Sequence, residues 1–308
     1  MKKGFIRFCV SVLLVLIIVG FVDWTIGEAM DRILPQISNQ GDIGKTYYSL
    51  YEVDAPVLIV GSSRAAHHYV SRIIEDSLAL PTYNVGRDGC FFSYNCCVIN
   101  SILDRYSPKL IIWENGSDYL YSDINDPMES LYPYYGRNSW VTDTVKEDEP
   151  KKEYIRLNSR LYQYNSTIHR ILIRYWGRHS FADNTIKGYV PLKPIEQKIS
   201  LEQIDMQPSL SKLSDTKIER FRSVLERARR KGTKVVVADS PMYKKYDCEN
   251  MSSIKMRQLC KQYDAQFLDN SQLPYFFEHP ELFNDATHLN NEGAKVYTQI
   301  FIGQLNDK

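Results

Sequence analysis

From Pro56 onward, short apolar runs rich in β-branched residues alternate with stretches of helical length. The runs are VLIV (57–60), TYNV (82–85), LIIW (110–113), KVVVAD (234–239) and AQFLD (265–269), and the helical stretches are 64–79, 92–106, 215–231, 251–263 and 291–304. Strands that are apolar on both faces and alternate with helices indicate a parallel sheet covered on each side. Right-handed crossovers place the carboxyl ends of the strands at one edge, where ligands bind in such sheets. The sequence therefore predicts an α/β domain with its site at that edge.

An insertion separates the third and fourth predicted strands, from about residue 119 to about residue 212. It begins with the tyrosine-rich segment YLYSDINDPMESLYPYYGR and continues through the charge run KEDEPKKE (146–153), which is typical of a solvated surface. Apolar residues then recur at steps of three and four, which predicts one amphipathic helix over 154–175. These residues are Tyr154, Leu157, Leu161, Tyr164, Ile168, Ile171 and Tyr175. Arginines on the other faces of this helix are either solvated or turned toward anionic headgroups, an acidic polymer or a partner protein.

The N-terminal segment carries a membrane signal. A cationic lead of Lys2, Lys3 and Arg7 precedes the uncharged run FCVSVLLVLIIVGFV (8–22), and acidic residues follow it. This asymmetry predicts a single-pass membrane anchor with the N-terminus cytoplasmic and the rest of the chain extracytoplasmic. No convincing A-x-A-like cleavage site follows, so an uncleaved anchor is favoured over a signal peptide. We therefore divide the chain into a cytoplasmic N-terminus and anchor (1–27), a juxtamembrane connector (28–55) and the α/β domain (56–308).

Charge and cysteine content bear on two further classes of function. The formal net charge is +1, which gives no electrostatic reason to expect nucleic-acid binding. Six cysteines in 308 residues do not make a disulfide scaffold, and Cys90, Cys96 and Cys97 lack the spacing of a zinc site. Cys248 and Cys260 either pair in an oxidising compartment or remain free buried thiols. We therefore expect neither a nucleic acid nor a metal ion as a partner.

Residues able to do chemistry follow the predicted strands at the same edge. The first strand runs into VGSSRAAHHY, which places Ser63 at the N-terminus of a helix, where backbone amides and the helix dipole stabilise negative charge. The second strand runs into YNVGRDGC, where Gly86 and Gly89 allow the backbone to approach a ligand closely. The third runs into WENGSD, which places Asn115 and Ser117 at this edge. Taken singly, each of these features is equally typical of a cap or a loop.

The segment NDATHLNNEGAKVY (284–297), directly before the last predicted helix, contains Asp285 and His288. These two residues are either a cap and a surface residue or two members of a catalytic triad. A serine hydroxyl is a poor nucleophile until a base takes its proton, and histidine, with an unperturbed pKa of about 6.5, accepts and returns a proton near neutrality. The adjacent His67 and His68 cannot share one helical face, so we expect one to be exposed and the other to pack near the turn, and assign neither a role.

Together and in this order, these motifs resemble the SGNH (GDSL-type) hydrolase superfamily. The resemblance covers roughly 56–118 and 233–302 and implies a three-layer, flavodoxin-like α/β/α domain, for which we expect no cofactor. It gives Ser63 the place of the nucleophile, Gly89 that of an oxyanion-hole amide, and Asp285 and His288 those of the acid and the base.

The third motif departs from the family pattern. NGSD has Ser117 where the family's asparagine would fall, and Asn115 lies two residues earlier. Either Asn115 reaches the site through a shifted loop, or Ser117 donates instead, or the oxyanion hole has one donor fewer. The loss of one such donor typically lowers turnover by about 10²–10³.

The resemblance also implies a function. Membrane-tethered members of this superfamily commonly add or remove acyl groups, often acetyl, on cell-envelope glycans. We therefore expect an anchored O-acyl esterase or acyltransferase acting on an acylated carbohydrate or another acyl ester. The tyrosines of the insertion either stack on sugars or pack an ordinary subdomain. The alternatives are a non-catalytic SGNH-like module that binds glycan or scaffolds envelope-assembly proteins, and a lipase or thioesterase with an open apolar cleft.

Overall fold

A computed structural model describes residues 2–116, 118–177, 185–194, 200, 202–204, 212–246 and 249–306. The chain forms two compact units: a first unit of Met1–Tyr47 and Glu129–Ala182, and a second unit of Tyr48–Met128 and Asp183–Lys308. The first unit joins the N-terminal segment to part of the predicted insertion, whereas the sequence predicts boundaries near 27, 55, 119 and 212. The two divisions differ because composition does not reveal which separated segments fold together.

The described residues contain seven strands: β1 (Val57–Val60), β2 (Thr82–Asn84), β3 (Leu110–Glu114), β4 (Glu202–Ile204), β5 (Lys234–Asp239), β6 (Lys244–Tyr246) and β7 (Gln266–Asp269). The α-helices are α1 (Lys2–Ile33), α2 (Gly41–Tyr51), α3 (Ser63–His68), α4 (Ser71–Leu78), α5 (Phe92–Arg105), α6 (Ser139–Asp148), α7 (Lys151–Arg156), α8 (Arg160–Gln163), α9 (Ile168–Gly177), α10 (Asp215–Arg230), α11 (Met251–Gln262), α12 (Pro274–Glu278) and α13 (Asn291–Asn306). Short 3-10 helices cover Leu34–Ile37, Tyr132–Tyr134 and Pro280–Leu282.

The second unit is built on a parallel sheet with the strand order β2-β1-β3-β5-β7. Its strands coincide within one residue with the five apolar runs, so the predicted α/β class with a parallel sheet is confirmed. β4 and β6 form a separate parallel pair. The chain moves from β1 outward to β2 and then crosses back to β3 on the other side of β1, so the connections after β1 and after β3 leave in opposite directions. Such a reversal opens a crevice at the carboxyl ends of the strands.

Alternating side chains of the strands pack against helices on both faces of the sheet. On one face, Val57 and Ile59 of β1 belong to a buried apolar cluster with residues of α3, α4 and α13. On the other face, the fully buried Trp113 of β3 has its ring centroid 5.9 Å from that of Phe92 in α5 and 5.1 Å from that of Phe221 in α10. The sheet is therefore covered on each side, as the apolar runs predict.

The stretch 64–79, predicted as one helix, forms the two helices α3 and α4, with Tyr69 and Val70 extended between them. Distant groups satisfy the backbone at this break: Asn84 Nδ2 donates to the Tyr69 carbonyl (3.3 Å), and the Val70 N–H donates to Thr298 Oγ1 (3.0 Å). The break directs the fully buried Tyr69 side chain into the core. Tertiary contacts thus override the local helical propensity.

The prediction of one helix over 154–175 in the first unit is wrong, because α7, α8 and α9 cover this stretch with breaks between them. Ser159 is extended and caps α8, since its hydroxyl oxygen accepts a hydrogen bond from the Tyr162 N–H (3.1 Å). Serine favours such local bonds over a continuous helix. Leu157 and Ile171 are buried, as the spacing predicts, but Leu161 is 41% exposed because the break changes the direction of its side chain.

One helical segment of the described chain, Lys2–Ile37, is long and apolar enough to cross a membrane. The most apolar window of this segment has a mean hydropathy of 2.8, and none of that window is buried. Farther along α1, Gly27 is buried and Asp31 forms ion pairs with Arg137 and Arg160. The helix therefore has an exposed apolar part and a part that packs within the first unit.

Within the described part of the chain, no cysteine forms a disulfide bond. Cys90, Cys96, Cys97 and Cys260 are buried, whereas Cys9 is exposed on α1. Cys248, the suggested partner of Cys260, lies outside the described residues, so their pairing stays a prediction.

Candidate active site

The turn after β1 presents Ser63 at the start of α3. Gly61 has φ +154°, and a Cβ at this position would lie 2.6 Å from the Glu114 carbonyl oxygen, so the close approach to the end of β3 requires glycine. Ser62 is buried and extended, and its carbonyl accepts a hydrogen bond from the Ala66 N–H (3.1 Å) in the first turn of the helix. Ser63 itself is partly exposed. Its hydroxyl therefore lies at the carboxyl edge of the sheet within reach of solvent.

The loop before α13 brings an acid and a histidine to this serine. His288 Nε2 lies 2.7 Å from Ser63 Oγ, and His288 Nδ1 lies 2.9 Å and 3.0 Å from the two carboxylate oxygens of Asp285. Because an ionised carboxylate only accepts hydrogen bonds, we assign the proton of the neutral ring to Nδ1, and Nε2 then accepts from the serine hydroxyl. The structure thus brings these residues together although 225 positions separate Ser63 from His288.

Asp285 is held in place by its own turn. Its Oδ1 accepts hydrogen bonds from the Thr287 N–H (2.8 Å) and the His288 N–H (2.9 Å). Burial raises the pKa of Asp285. The hydrogen bonds from the His288 ring and the Thr287 amide lower this pKa by more than burial raises it, so the pKa lies below its usual value. The carboxylate is therefore ionised near neutral pH, where it orients the His288 ring and stabilises the cationic form of that ring.

The loop after β2 lies against the turn that carries Ser63. The Arg87 N–H donates to the Gly61 carbonyl (3.0 Å), which joins the two loops. Gly89 follows with φ +67°, and a Cβ at this position would meet no atom within 4 Å. A left-handed glycine with open space beside it suits a backbone that faces a ligand, which is the role predicted for Gly89.

Asn84, which sequence reasoning missed, orders this loop. Its fully buried side chain donates from Nδ2 to the Ala65 carbonyl (2.6 Å) and accepts at Oδ1 from the Gly86 N–H (2.9 Å). A Cβ at Gly86 would lie 2.6 Å from Ala65 Cβ, so the loop packs directly onto α3. An asparagine at the end of a buried strand and two residues before a glycine was the available signal.

The third motif does not place Asn115 as predicted. Its side chain is fully buried, its Nδ2 donates to Met256 Sδ (3.1 Å), and its backbone N–H donates to the Ala238 carbonyl (2.9 Å). Asn115 therefore packs toward α11, which argues against its predicted role as an oxyanion donor. Ser117, the other predicted donor, lies outside the described residues.

A buried ion cluster adjoins the candidate nucleophile. Arg64 has Nη1 2.6 Å from Asp239 Oδ1 and Nη2 3.2 Å from Glu114 Oε1, and none of the three side chains is more than 7% exposed. Burial raises the pKa of Asp239 and the Arg64 charge lowers it, with a net rise to about 7. The Arg64 guanidinium thus forms ion pairs with two carboxylates. The sequence analysis did not use the available signal, which is one acidic residue at the end of each of two largely apolar strands, Glu114 in β3 and Asp239 in β5.

His68 connects this cluster to the segment that carries His288. Its Nε2 accepts a hydrogen bond from the Leu289 N–H (3.0 Å), so the proton of the neutral ring is on Nδ1, which donates to Ser240 Oγ (2.8 Å). The Ser240 hydroxyl in turn donates to Glu114 Oε1 (2.9 Å). Burial holds the pKa of His68 well below its usual value, in agreement with a neutral ring. The position of the backbone directly after His288 is thereby tied to the core.

His67 and His68 are both buried, so the prediction that one of them is exposed is wrong. His67 Nδ1 lies 2.7 Å from the Val190 carbonyl oxygen, and its Nε2 lies 3.2 Å and 3.3 Å from the carboxylate oxygens of Asp88. The centroids of the two rings are 5.8 Å and 6.2 Å from that of His288, at nearly right angles to it. The prediction failed because segments distant in sequence cover both faces of α3.

Comparison with known proteins identifies no relative of this chain, so a functional assignment depends on the geometry of the candidate active site. No family model matches the chain, and no curated protein matches it. The resemblance of the motifs to SGNH hydrolases therefore stays a prediction, and the arrangement of Ser63, His288 and Asp285 carries the argument that follows.

Proposed function

We propose that the second unit is a flavodoxin-like, SGNH-type serine esterase or acyltransferase. The observation that carries this proposal is the chain of hydrogen bonds from Ser63 Oγ to His288 Nε2 (2.7 Å) and from His288 Nδ1 to Asp285 (2.9 Å). The order β2-β1-β3-β5-β7 supports the fold assignment, since it equals 2-1-3-4-5 when the five parallel strands are numbered in sequence, and that is the flavodoxin-like order. Nucleophile, base and acid have the geometry that covalent acyl transfer needs.

In the proposed reaction, Ser63 Oγ attacks the carbonyl carbon of an acyl ester while His288 takes the hydroxyl proton, which gives a tetrahedral oxyanion. The backbone N–H groups of Ser63 and Gly89 are the proposed donors to this oxyanion. The intermediate collapses as the bond to the alcohol oxygen breaks and His288 returns its proton to that oxygen, which leaves an acyl-serine. Water or a second hydroxyl then attacks the acyl-serine with His288 again as the base, so one site serves hydrolysis or transfer.

The proposed substrate is an O-acyl group, above all acetyl, on a cell-envelope glycan. The support is α1, whose apolar window is unburied and follows Lys2, Lys3 and Arg7. This charge bias favours a cytoplasmic N-terminus and an extracytoplasmic catalytic unit. An enzyme anchored in this way meets acylated carbohydrate polymers, and an envelope-assembly protein is the proposed additional partner.

A non-catalytic module that binds glycan or scaffolds an assembly is the second candidate, and Asn115 is the observation that favours it. The amide expected to donate to an oxyanion donates to Met256 Sδ instead. The loss of one donor typically lowers turnover by about 10²–10³, which is a fraction of the acceleration that a triad enzyme supplies. The esterase therefore stays the first choice.

The test of the proposed function is ester turnover by the full chain in detergent. Aryl acetate is compared with aryl hexanoate and decanoate, with Ser63→Ala and His288→Ala beside the wild type. Ser77→Ala and His279→Ala are matched controls, because both residues are exposed and lie outside the triad. We expect turnover to fall to background in the first pair and to persist in the second.

The outcomes separate the candidates. Preference for the acetyl ester supports an O-acetyl substrate, whereas preference for decanoate points to a lipase or thioesterase. A wild-type chain that melts cooperatively but turns over none of these esters contradicts the proposal, and glycan binding without turnover then favours the non-catalytic module.

A further inference from the structure

The surroundings of α1 change at Asp23, directly after its apolar run. Apolar side chains before this point are exposed, for example Phe8 (65%), Leu16 (62%) and Phe21 (64%). The carboxylate of Asp23 accepts hydrogen bonds from Ser159 Oγ (2.5 Å) and from the N–H groups of residues 160 (2.9 Å) and 161 (3.0 Å). The first turn of α8 is therefore fixed at the end of the apolar run.

The junction between α1 and α8 is close and rich in charge. A Cβ at Gly27 would lie 2.3 Å from Arg160 Cβ, so the two segments touch at a position that only glycine allows. One turn farther along α1, Asp31 pairs with Arg160 and Arg137. α1 is continuous from Lys2 to Ile33 across this junction. The apolar run and the part of α1 that contacts α8 thus belong to one unbroken helix.

The length of the apolar run bears on where this junction would lie relative to a membrane. At 1.5 Å per residue, the uncharged run 8–22 extends over about 22 Å. With Phe5, Ile6 and Arg7, whose long side chain can reach the headgroups, the length is about 27 Å, close to the hydrocarbon core of a bilayer, about 30 Å. When this run spans the bilayer, Asp23 and the start of α8 lie at its boundary. Trp24, which is 54% exposed, then occupies the level where aromatic residues are enriched.

Two large, exposed apolar side chains of α7 and α8 lie within a few residues of the contact with Asp23. Leu161, whose N–H bonds to Asp23, is 41% exposed, and Ile155 is 62% exposed. A hydrogen bond joins the end of α7 to Ser159, the residue that caps α8: the Ser159 N–H donates to the Arg156 carbonyl (2.9 Å). The Arg156 side chain, 55% exposed and 3.4 Å from Glu153 Oε2, adds a partly paired cation that suits lipid phosphates.

We propose that the corner formed by α7 and α8 lies on the bilayer, with the side chains of Leu161 and Ile155 inserted at the level of the lipid headgroups and upper acyl chains. A lipid surface is the occupant that fits, because the exposed apolar residues continue directly from the membrane-spanning run of α1. The corner then restricts the orientation of the first unit on the membrane. This inference rests on the proposed anchoring of the chain by α1.

The test measures the depth of nitroxide labels in the full chain, reconstituted in nanodiscs of phosphatidylcholine and phosphatidylglycerol. Single cysteines are introduced at Leu161 and Ile155 in a Cys9→Ser, Cys248→Ser background, since the other cysteines are buried. Position Leu14 is the reference for the bilayer interior, and Ile186, 47% exposed, is the reference for water. The readout is the ratio of collisions with oxygen, which enriches in lipid, to collisions with a water-soluble nickel chelate.

We expect ratios at positions 161 and 155 several-fold above that at 186 and below that at 14. A high ratio at 14 with values at 161 and 155 equal to that at 186 overturns the docking of the corner but leaves the anchor intact. A low ratio at 14 contradicts the anchor and the docking together. The ester-turnover assay reports on the triad independently of these labels.

A matched pair of variants sharpens the result. Leu161→Asp places a charge at the proposed depth and is expected to lower the ratio for a label at 155 to the value at 186. Ile186→Asp, the control, is expected to leave that ratio unchanged. A label at 155 that responds equally to both substitutions, or to neither, contradicts the proposal.

Discussion

Two groups of polar residues meet at the turn after β1, and they differ in their exposure to solvent. The triad is open: the side chains of Asp285 and His288 are 46% and 24% exposed. The ion cluster around Arg64 is closed, with every member at most 7% exposed. Groups that must touch a substrate stay near solvent and contribute little to stability, whereas buried charges contribute to stability only as a complete set. Substitutions in the two groups should therefore change different measured quantities.

The largest expected effect is the loss of catalysis in Ser63→Ala. Because the nucleophile disappears, we expect kcat to fall by about 10⁶, as is typical when a triad nucleophile is removed. The partly exposed hydroxyl contributes little to packing, so the melting temperature should shift by no more than about 2 °C. Steady-state turnover and thermal denaturation of the same preparation check both parts. A fall in the melting temperature of Ser63→Ala well beyond about 2 °C would contradict the separation between the catalytic group and the stabilising group.

The next largest effect is expected for Asp285→Asn. An amide in place of the carboxylate favours the wrong tautomer of His288, so kcat should fall by about 10⁴. Glu281→Gln is the matched control, since Glu281 also pairs with a histidine, His279, at 2.8 Å, but away from the serine. Turnover is the measurement for both. Equal losses in the two variants would contradict the assignment of Asp285.

The third prediction concerns stability. Arg64→Met leaves Glu114 and Asp239 buried without their cation, and the free energy of unfolding should fall by about 3–5 kcal/mol. Arg222→Met removes an exposed, solvent-screened pair with Glu219 and should leave the free energy of unfolding nearly unchanged. Urea denaturation measures both values. If Arg64→Met is too unstable to purify, Arg64→Lys, which keeps the charge, should fold with an intermediate loss.

The fourth prediction is a pH dependence of stability that differs in sign between the two groups. The folded pKa of Asp239 is about 7, above the value of about 3.9 for an unfolded aspartate. The folded state then binds more protons between these limits, so this group makes the free energy of unfolding fall as the pH rises from about 4 to about 7. Asp285, whose folded pKa is lowered, contributes stability that is lost as the pH falls through the acidic range.

Asp239→Asn should flatten the decline of stability between about pH 4 and pH 7, because it removes the group that titrates there. Asp285→Asn should leave that decline in place and change only the acidic limb. Denaturant melts at a series of pH values check this difference. An unchanged profile in Asp239→Asn would contradict the raised pKa of Asp239.

Local patterns predicted the sheet well because the residues that indicate each strand lie within that strand and the turns beside it. Val57–Val60 and Lys234–Asp239 are apolar, β-branched runs between turn residues, and their parallel pairing follows from the helices that separate them. The breaks at Tyr69 and Ser159 were not predicted, because distant contacts act there together with local bonds such as the Ser159 cap. Each depends on a partner far along the chain: Thr298 for the first and Asp23 for the second.

The same contrast holds within the candidate site. Ser63, Gly89, Asp285 and His288 belong to short motifs, so the sequence indicates them directly. His68 acts through Ser240 and the Leu289 N–H, and no local pattern connects these positions. Asn115 is the opposite case, since this residue, two positions before the expected motif position, donates to Met256 of α11, a contact that no local pattern indicates.

The measurement that tests the central claim most directly is mass-spectrometric mapping of a fluorophosphonate adduct on the full chain. The account predicts one modified serine, Ser63, with labelling abolished by His288→Ala and retained by His279→Ala, because only the first histidine activates that hydroxyl. A cooperatively folded wild-type chain that carries no adduct at Ser63, or an adduct at another serine, would contradict the proposed triad.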